Sequence, residues 1–186
     1  FTLEEAMILQ KRGLLMISLD LSKFFDSIEW GLLENLAREL GLPESYLQAF
    51  LSFLQKLRRR FKVGDTFSDD WKTTLCGTPQ GDAMSIIWAN LSSLILSMRM
   101  NKLGIGHKIY VDDRYLWGRT ISVLKRTLSE VSKFDSLAKN RLNPDKTKLL
   151  ASSPYLRKQS AKILFDGFPL KVVKHLKALG CTLSSV

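Results

Sequence analysis

Cysteine is nearly missing from this chain: Cys76 and Cys181 are the only two in 186 residues, far apart and outside any Cys-x-x-Cys or Cys/His cluster. That scarcity excludes a disulfide framework and a zinc site and makes a reducing compartment the default. Long hydrophobic runs are scarce too. The longest apolar-rich stretch, Ser85 to Met100, is broken by Asn90, Ser92, Ser93, Ser97 and Arg99. It falls short of the roughly 20 apolar residues of a membrane span, so it reads as a buried helix and no membrane partner is expected. No basic leader or cleavage site opens the chain, which starts at Phe1 without Met and stops after Ser184-Ser185-Val186. A piece of a longer polypeptide is the expectation. Internal repeats and flexible linkers are missing as well.

Acidic side chains are in deficit, 18 Asp and Glu against 28 Lys and Arg, which leaves a formal charge of +10 and asks for a polyanionic partner. Hydrophobic residues at 45% and charged residues at 25% are ordinary globular usage, which removes disordered, collagenous and low-complexity readings. A chain of this length buries about 70% of its unfolded surface in one core, so one domain or two packed lobes are both compatible with it.

Patterning supplies the elements. Gly13 to Asp20 is a short apolar run closed by a carboxylate, the signature of a buried strand with Asp20 at a sheet's edge. Trp30, Leu33, Ala37 and Leu40 recur at helical spacing, with Asp26 or Ser27 as cap and Gly41 and Pro43 as stop. Tyr46, Leu47, Phe50, Leu51 and Leu54 mark a second helix that runs into a basic strand, Arg58 to Val63, with Gly64-Asp65 as a hairpin turn into Thr66 to Trp71. A long helix is expected from Ala83 to Leu103, ended by Gly104. Next come a hairpin over Lys108 to Trp117 with Asp112-Asp113 at its bend, and a helix from Ile121 closed near Asn143-Pro144. Lys148 to Ala151, Lys162 to Phe165 and Lys177 to Leu183 read as short strands. The layout is α+β with a largely antiparallel sheet.

Asp20, Asp112 and Asp113 therefore stand at strand ends that one sheet can bring together. Three converging carboxylates repel unless a hard divalent cation neutralises them, and two such ions leave one positive charge for an anionic substrate. That is the arithmetic of two-metal phosphoryl transfer. For a lone Asp-Asp at a bend the blander reading, a turn former, is the better one.

The residues around these carboxylates form a recognisable set. Leu19-Asp20-Leu21-Ser22-Lys23-Phe24-Phe25-Asp26 resembles the first palm motif of reverse transcriptases. Gly77-Thr78-Pro79-Gln80-Gly81 is similar to their second and Tyr110-Val111-Asp112-Asp113 to their third. Asn143-Pro144-Asp145-Lys146-Thr147-Lys148 is similar to the fourth, and Leu176-Lys177-Ala178-Leu179-Gly180-Cys181 to the fifth, the primer grip. Five motifs in order carry far more weight than any one, and within the family the resemblance is nearest to enzymes of non-LTR retroelements and group II introns. The chain departs from the pattern at Ser85-Ile86, where Ser-Pro is usual, at Asp82, and at Phe24, where a small residue is common.

The resemblance implies a right-hand polymerase palm, an antiparallel sheet backed by helices, with part of the fingers. It implies that residues 1–42 hold the first motif, 43–75 a partial fingers insertion and 76–186 the remaining palm, with upstream fingertips and a downstream thumb lying outside this chain. Asp20 and Asp112 would bind two Mg²⁺ ions, with Mn²⁺ as a substitute. Asp113 would assist, and the backbone carbonyl of Leu21 would complete a coordination shell. Phe25, singled out from Phe24 by Asp20 five residues earlier, would be the steric gate against a 2′-hydroxyl. Its blander reading is core. Gln80 and Gly81 would contact the incoming nucleotide or the template, or else form a mere turn ahead of a helix. Lys146 would donate a proton to pyrophosphate, with a solvated strand face as an equally good reading. Leu179 and Gly180 would touch the primer. In a strand Arg58, Arg60 and Lys62 share one face, suited to a phosphate backbone or simply to solvent.

The implied activity is RNA-directed DNA polymerisation, with an RNA template, a DNA primer, dNTP and the parent's remaining fingers and thumb as partners. The isolated piece is expected to be inactive or nearly so. Two other classes remain open at this stage: a catalytically silent nucleic-acid-binding scaffold, and an RNA-synthesising polymerase. No localisation follows, beyond nucleus or cytoplasm if the source is a eukaryotic retroelement.

Overall fold

The apolar run that ends at Asp20 becomes the middle strand of a five-stranded sheet. The computed structural model describes residues 13–178 and 181–184. Its elements in chain order are β1 (Leu15–Leu19), α1 (Phe24–Ser27), α2 (Trp30–Glu39), α3 (Glu44–Lys56), β2 (Lys62–Val63), β3 (Thr66–Phe67) and α4 (Ala83–Lys102). There follow β4 (Gly106–Tyr110), β5 (Asp113–Gly118), α5 (Ile121–Ala138), β6 (Lys148–Ala151) and α6 (Pro154–Ser160). The chain closes with β7 (Leu164–Phe165), β8 (Phe168–Pro169), β9 (Lys171–Val173), β10 (His175–Ala178) and β11 (Cys181–Ser184). It divides into two compact units, Phe1–Ser22 with Ser93–Val186, and Lys23–Ser92.

In the first unit the strand order is β4-β5-β1-β6-β9, antiparallel except for the β6–β9 pair. Alternation sorts the side chains by face. Leu15, Ile17, Leu19, Leu116 and Leu149 are fully buried on the side where α5 presents Leu124, Leu128, Val131 and Phe134. Burying each such side chain contributes roughly 1.5–3 kcal/mol. On the opposite side Leu14, Met16, Tyr115 and Leu150 cluster with Leu176 of β10, and Trp117, Val173, Ala178 and Leu183 pack against them. The β10–β11 hairpin thus covers one face of the sheet and helix the other.

The helix ends follow local chemistry. Thr120 caps α5 by accepting from the Val123 N–H, and Lys139 in the left-handed region ends it. Ser153 caps α6 and Pro154 starts it, a signature that the sequence reading passed over, as it did β9. At the end of α2, Gly41 takes a φ of 76° while Leu42 N–H reaches Ala37 O and Gly41 N–H reaches Arg38 O. The expected caps of α2 do not form: Glu29 holds that position and its side chain makes no capping bond, Asp26 lies inside α1, and Ser27 Oγ donates to Phe24 O instead. The basic stretch is not the expected strand over Arg58 to Val63. Only Lys62–Val63 pairs with Thr66–Phe67 around the Gly64-Asp65 turn, and Arg59 makes one separate bridge to Lys72.

Helix α4 has 20 residues and is long and apolar enough, by length and composition alone, to cross a bilayer, which corrects the expectation that its apolar part is too short. The interrupting Ser92 and Ser93 are buried, and Ser92 Oγ donates to Ala89 O.

In the second unit Phe50 of α3 stacks on Trp88 of α4 at 4.5 Å. There, too, Gly77 N–H donates to Ile28 O, Thr78 N–H to Phe25 O, and Trp30 Nε1 to Gly77 O. Gly77 has a φ of 85°, and a Cβ there would stand 2.7 Å from Asp26 O. Gly77→Ala should therefore lower stability by about 1–3 kcal/mol, the usual cost of such strain. Thermal unfolding should shift downward by several degrees, on the order of 2–4 °C per kcal/mol for a chain of this size.

Candidate active site

Register decides which carboxylates meet. β1 runs antiparallel to β5 with Leu19 opposite Arg114, so the next step beyond the ladder sets Asp20 against Asp113. Asp112 lies in the two-residue loop between Tyr110 and Asp113, the last pair of the β4–β5 hairpin. By alternation Asp20 follows Met16 and Ser18, and Asp113 precedes Tyr115, so both belong to the face covered by the β10–β11 hairpin. Val111, the first residue of the loop, has a φ of 56° where hairpin turns favour glycine. A β-branched residue held there stores strain beside Asp112.

The segment after Asp20 is clamped from a second direction. Asn143 N–H donates to Asp20 O at 2.9 Å and Ser22 N–H to Arg141 O at 2.7 Å, the two bonds that flank the Leu21–Leu142 bridge. Because the flanking residues make those bonds, the bridge does not use the carbonyl of Leu21. Thr147 folds the following turn by donating its N–H and Oγ1 to Asn143 O. That turn carries Lys146, whose Nζ stands 3.6 Å from Asp20 Oδ2.

The electrostatics agree with this convergence. Asp113 is held above the usual carboxylate range, first by burial, then by the negative charges of Asp112 and Asp20. Among the described residues, no three His, Cys, Asp or Glu side chains are gathered closely enough to hold a metal ion. The donors themselves are hard oxygens suited to Mg²⁺, two of them raise the third, and the Leu21 carbonyl is unused by its bridge. The set fits a divalent cation in chemistry while its side chains stand apart.

In the second unit Phe24 is buried and Phe25 half-buried, edge-on at 5.8 Å. The Phe25 carbonyl receives the Thr78 N–H, which joins the first-motif turn to the irregular segment leading to Gln80 and Gly81. Both of those are exposed in the turn before α4, Gly81 with a φ of 89°. Asp82 accepts from Ser85 Oγ at 3.4 Å at the start of α4, where an acid favours the helix dipole. Of the basic residues, Arg60 lies over the rings of Trp71 and Phe67 at 5.2 and 5.6 Å, and Lys62 over Phe67 at 5.7 Å. The structure brings these two together and does not set Arg58 with them as one strand face. Arg59 turns away to pair with Asp26 at 3.7 Å. Leu179 and Gly180 lie outside the described residues.

Sequence reasoning missed a buried ion pair beneath the carboxylates. Arg114 Nη1 donates to Asp135 Oδ1 at 2.6 Å, with both side chains at 5% exposure or less. Its signal was a charged residue on each of two apolar elements, at Arg114 among Tyr115 and Leu116 and at Asp135 beside Phe134.

Because its folded-state pKa is raised, Asp113 adds stability while protonated and loses it as pH rises through the carboxylate range. In EDTA at neutral pH, Asp113→Asn should therefore melt about 1–3 °C above the wild type, a modest shift because solvent screens a partly exposed group. The difference should shrink as pH falls through and below the ordinary carboxylate range, where the carboxyl becomes protonated in the folded and unfolded wild type alike. An equal or lower melting temperature for the variant at pH 7 would contradict the like-charge account.

The profile of the family described as reverse transcriptase (RNA-dependent DNA polymerase) matches residues 3–183. Among solved structures, apo telomerase from Candida tropicalis truncated from its C-terminal domain is similar with a TM-score of 0.68 and 13% identity, over 97% of this chain and 37% of that one. Telomerase from Candida albicans in complex with a TWJ fragment of telomeric RNA gives 0.66 and 12%, over 98% and 31%. The chain thus spans about a third of the structures it matches, and at these identities the likeness shows the fold, a right-hand polymerase α+β architecture. Sequence comparison with curated proteins finds no match. With the family profile running over nearly its whole length, the chain belongs to the reverse transcriptase (RNA-dependent DNA polymerase) family.

Proposed function

We propose that this chain is the palm, with part of the fingers, of an RNA-directed DNA polymerase that extends a DNA primer on an RNA template. The observation that carries the reading is the β1–β5 register, which sets Asp20 against Asp113 with Asp112 in the adjoining loop. The primer 3′-oxygen attacks the α-phosphorus of a dNTP, and the bond to the β-phosphate oxygen breaks to release pyrophosphate. Asp20 and Asp112 would hold two Mg²⁺ ions, or Mn²⁺ in their place, with Asp113 assisting and the Leu21 carbonyl completing a shell. When bound, the ions supply the charge that offsets the phosphates and favours attack by the primer oxygen.

This chain's own groups do the rest. Lys146, beside Asp20 in the present geometry, is assigned the proton that departing pyrophosphate needs. Phe25 is assigned to exclude a 2′-hydroxyl, and Gln80 and Gly81 to contact the nucleotide or template. Arg60 and Lys62, with Arg58, are assigned to phosphate backbone, and Leu179 and Gly180 to the primer. The second unit, Lys23–Ser92, contains the expected fingers segment 43–75. The rest of the fingers and a thumb are assigned to a longer parent, in keeping with the 37% and 31% of the two Candida structures that this chain covers. Little processive synthesis is expected from the chain alone.

Primer extension on an RNA template with the full-length parent tests the reading. Asp112→Ala should abolish Mg²⁺-dependent synthesis, and activity equal to wild type would defeat the assignment. In the same assay Phe25→Ala should raise rNTP incorporation relative to dNTP. Unchanged rNTP use would instead favour an RNA-synthesising polymerase.

A further inference from the structure

Arg114 is an unusual residue for its place. It follows Asp113 on β5, sits opposite Leu19 on β1, and is wholly buried on the helix-covered face. Its guanidinium lies 5.4 Å from the centre of the Phe134 ring and gives one hydrogen bond, to Asp135 Oδ1. Nε and Nη2 of Arg114 and Oδ2 of Asp135 are buried with no hydrogen-bond partner among the described residues. A buried pair left this incomplete contributes little net stability, and apolar residues of similar size generally serve the fold as well or better. Its position suggests what it does instead.

Asp135 Oδ1 also accepts from Asn140 Nδ2 at 2.9 Å, and Asn140 N–H donates to Asp135 O. One residue later Arg141 O receives Ser22 N–H, and Asn143 N–H reaches Asp20 O. A continuous set of hydrogen bonds and short chain segments therefore runs from the residue after Asp113, through α5, to the backbone of Asp20. It passes on the face opposite the carboxylates. Lys146, 3.6 Å from Asp20, offsets part of the charge on that face, and the sheet edge must resist the remaining repulsion between Asp20 and Asp113 from below.

We propose that Arg114, acting through Asp135 and Asn140, is a positioning residue that holds the Asp20 and Asp112–Asp113 backbone segments in place against their like charge, so that their side chains can turn onto a divalent cation. The inference rests on the reading of those carboxylates as cation ligands. Arg114 touches neither substrate nor cation. It fixes the two backbones from which the ligands project, as groups behind metal ligands do elsewhere, where their loss weakens metal affinity about 10–100-fold.

The test is Mn²⁺ binding to the 186-residue chain followed by electron paramagnetic resonance, alongside thermal unfolding in EDTA. The paired replacement Arg114→Met with Asp135→Leu leaves no charge buried alone and should melt at or above the wild-type temperature. It should nevertheless bind Mn²⁺ about 10–100-fold more weakly. Arg114→Lys, which keeps a cation facing Asp135, should recover much of that loss. A purely structural pair would change melting and leave the affinity of folded molecules untouched, so a folded double variant with wild-type affinity overturns the proposal. Should the double variant not fold, Asn140→Ala decides: wild-type affinity in that variant likewise overturns it. A wild-type chain that binds no Mn²⁺ defeats the carboxylate reading itself, and this inference with it.

Discussion

The pairing of β1 between β5 and β6 is the constraint from which the rest of the first unit follows. Leu15, Ile17 and Leu19 fill one face and Leu14 and Met16 the other, so a slip of one residue would exchange every side chain of the strand. Each fully buried leucine or isoleucine contributes roughly 1.5–3 kcal/mol, which makes the register far stronger than the repulsion between two partly solvated carboxylates. Asp20 is thus delivered to Asp113 by hydrophobic alternation that knows nothing of charge. The acidic edge is a by-product of a strand too well packed to move.

That arrangement puts charge on both faces of the same sheet edge. Asp113 and Asp20 stand on one side and Arg114 on the other, each next in sequence to a residue of the opposite face. The guanidinium beneath is buried and incompletely bonded, while above it burial and the charges of Asp112 and Asp20 raise Asp113. Stability alone would have placed apolar residues at Arg114 and Asp135. Their presence on β5 and α5 is better understood through the backbones they tie together than through the energy of the pair.

Much of this architecture was legible in residue order. The strand before Asp20, the Asp112-Asp113 hairpin, the long helix after Asp82 and the helix from Ile121 all emerge from periodicity because burial enforces it. The failures share a cause. Arg58 to Val63 reads as a basic strand, yet Arg59 is drawn to Asp26 and Lys72, partners distant in sequence. Asp26 looked like a helix cap, and the same tertiary partner claims it. Ser153-Pro154 carried a helix-start signal that went unread beside stronger strand patterns. The Arg114–Asp135 pair was visible only as two charges in apolar surroundings, and local spacing cannot say that such charges face each other.

The placement of Lys146 has a consequence of its own. Its ammonium is delivered to Asp20 by the turn that Asn143 and Thr147 fold, so it stays nearby and cannot diffuse away. A tethered cation acts at a fixed, high local concentration. Any mobile ion that approaches Asp20 must compete with it, and sodium or potassium brings no more charge than the ammonium already does. A divalent ion does bring more. The turn therefore keeps one positive charge beside Asp20 that is tethered by the fold and not drawn from solution.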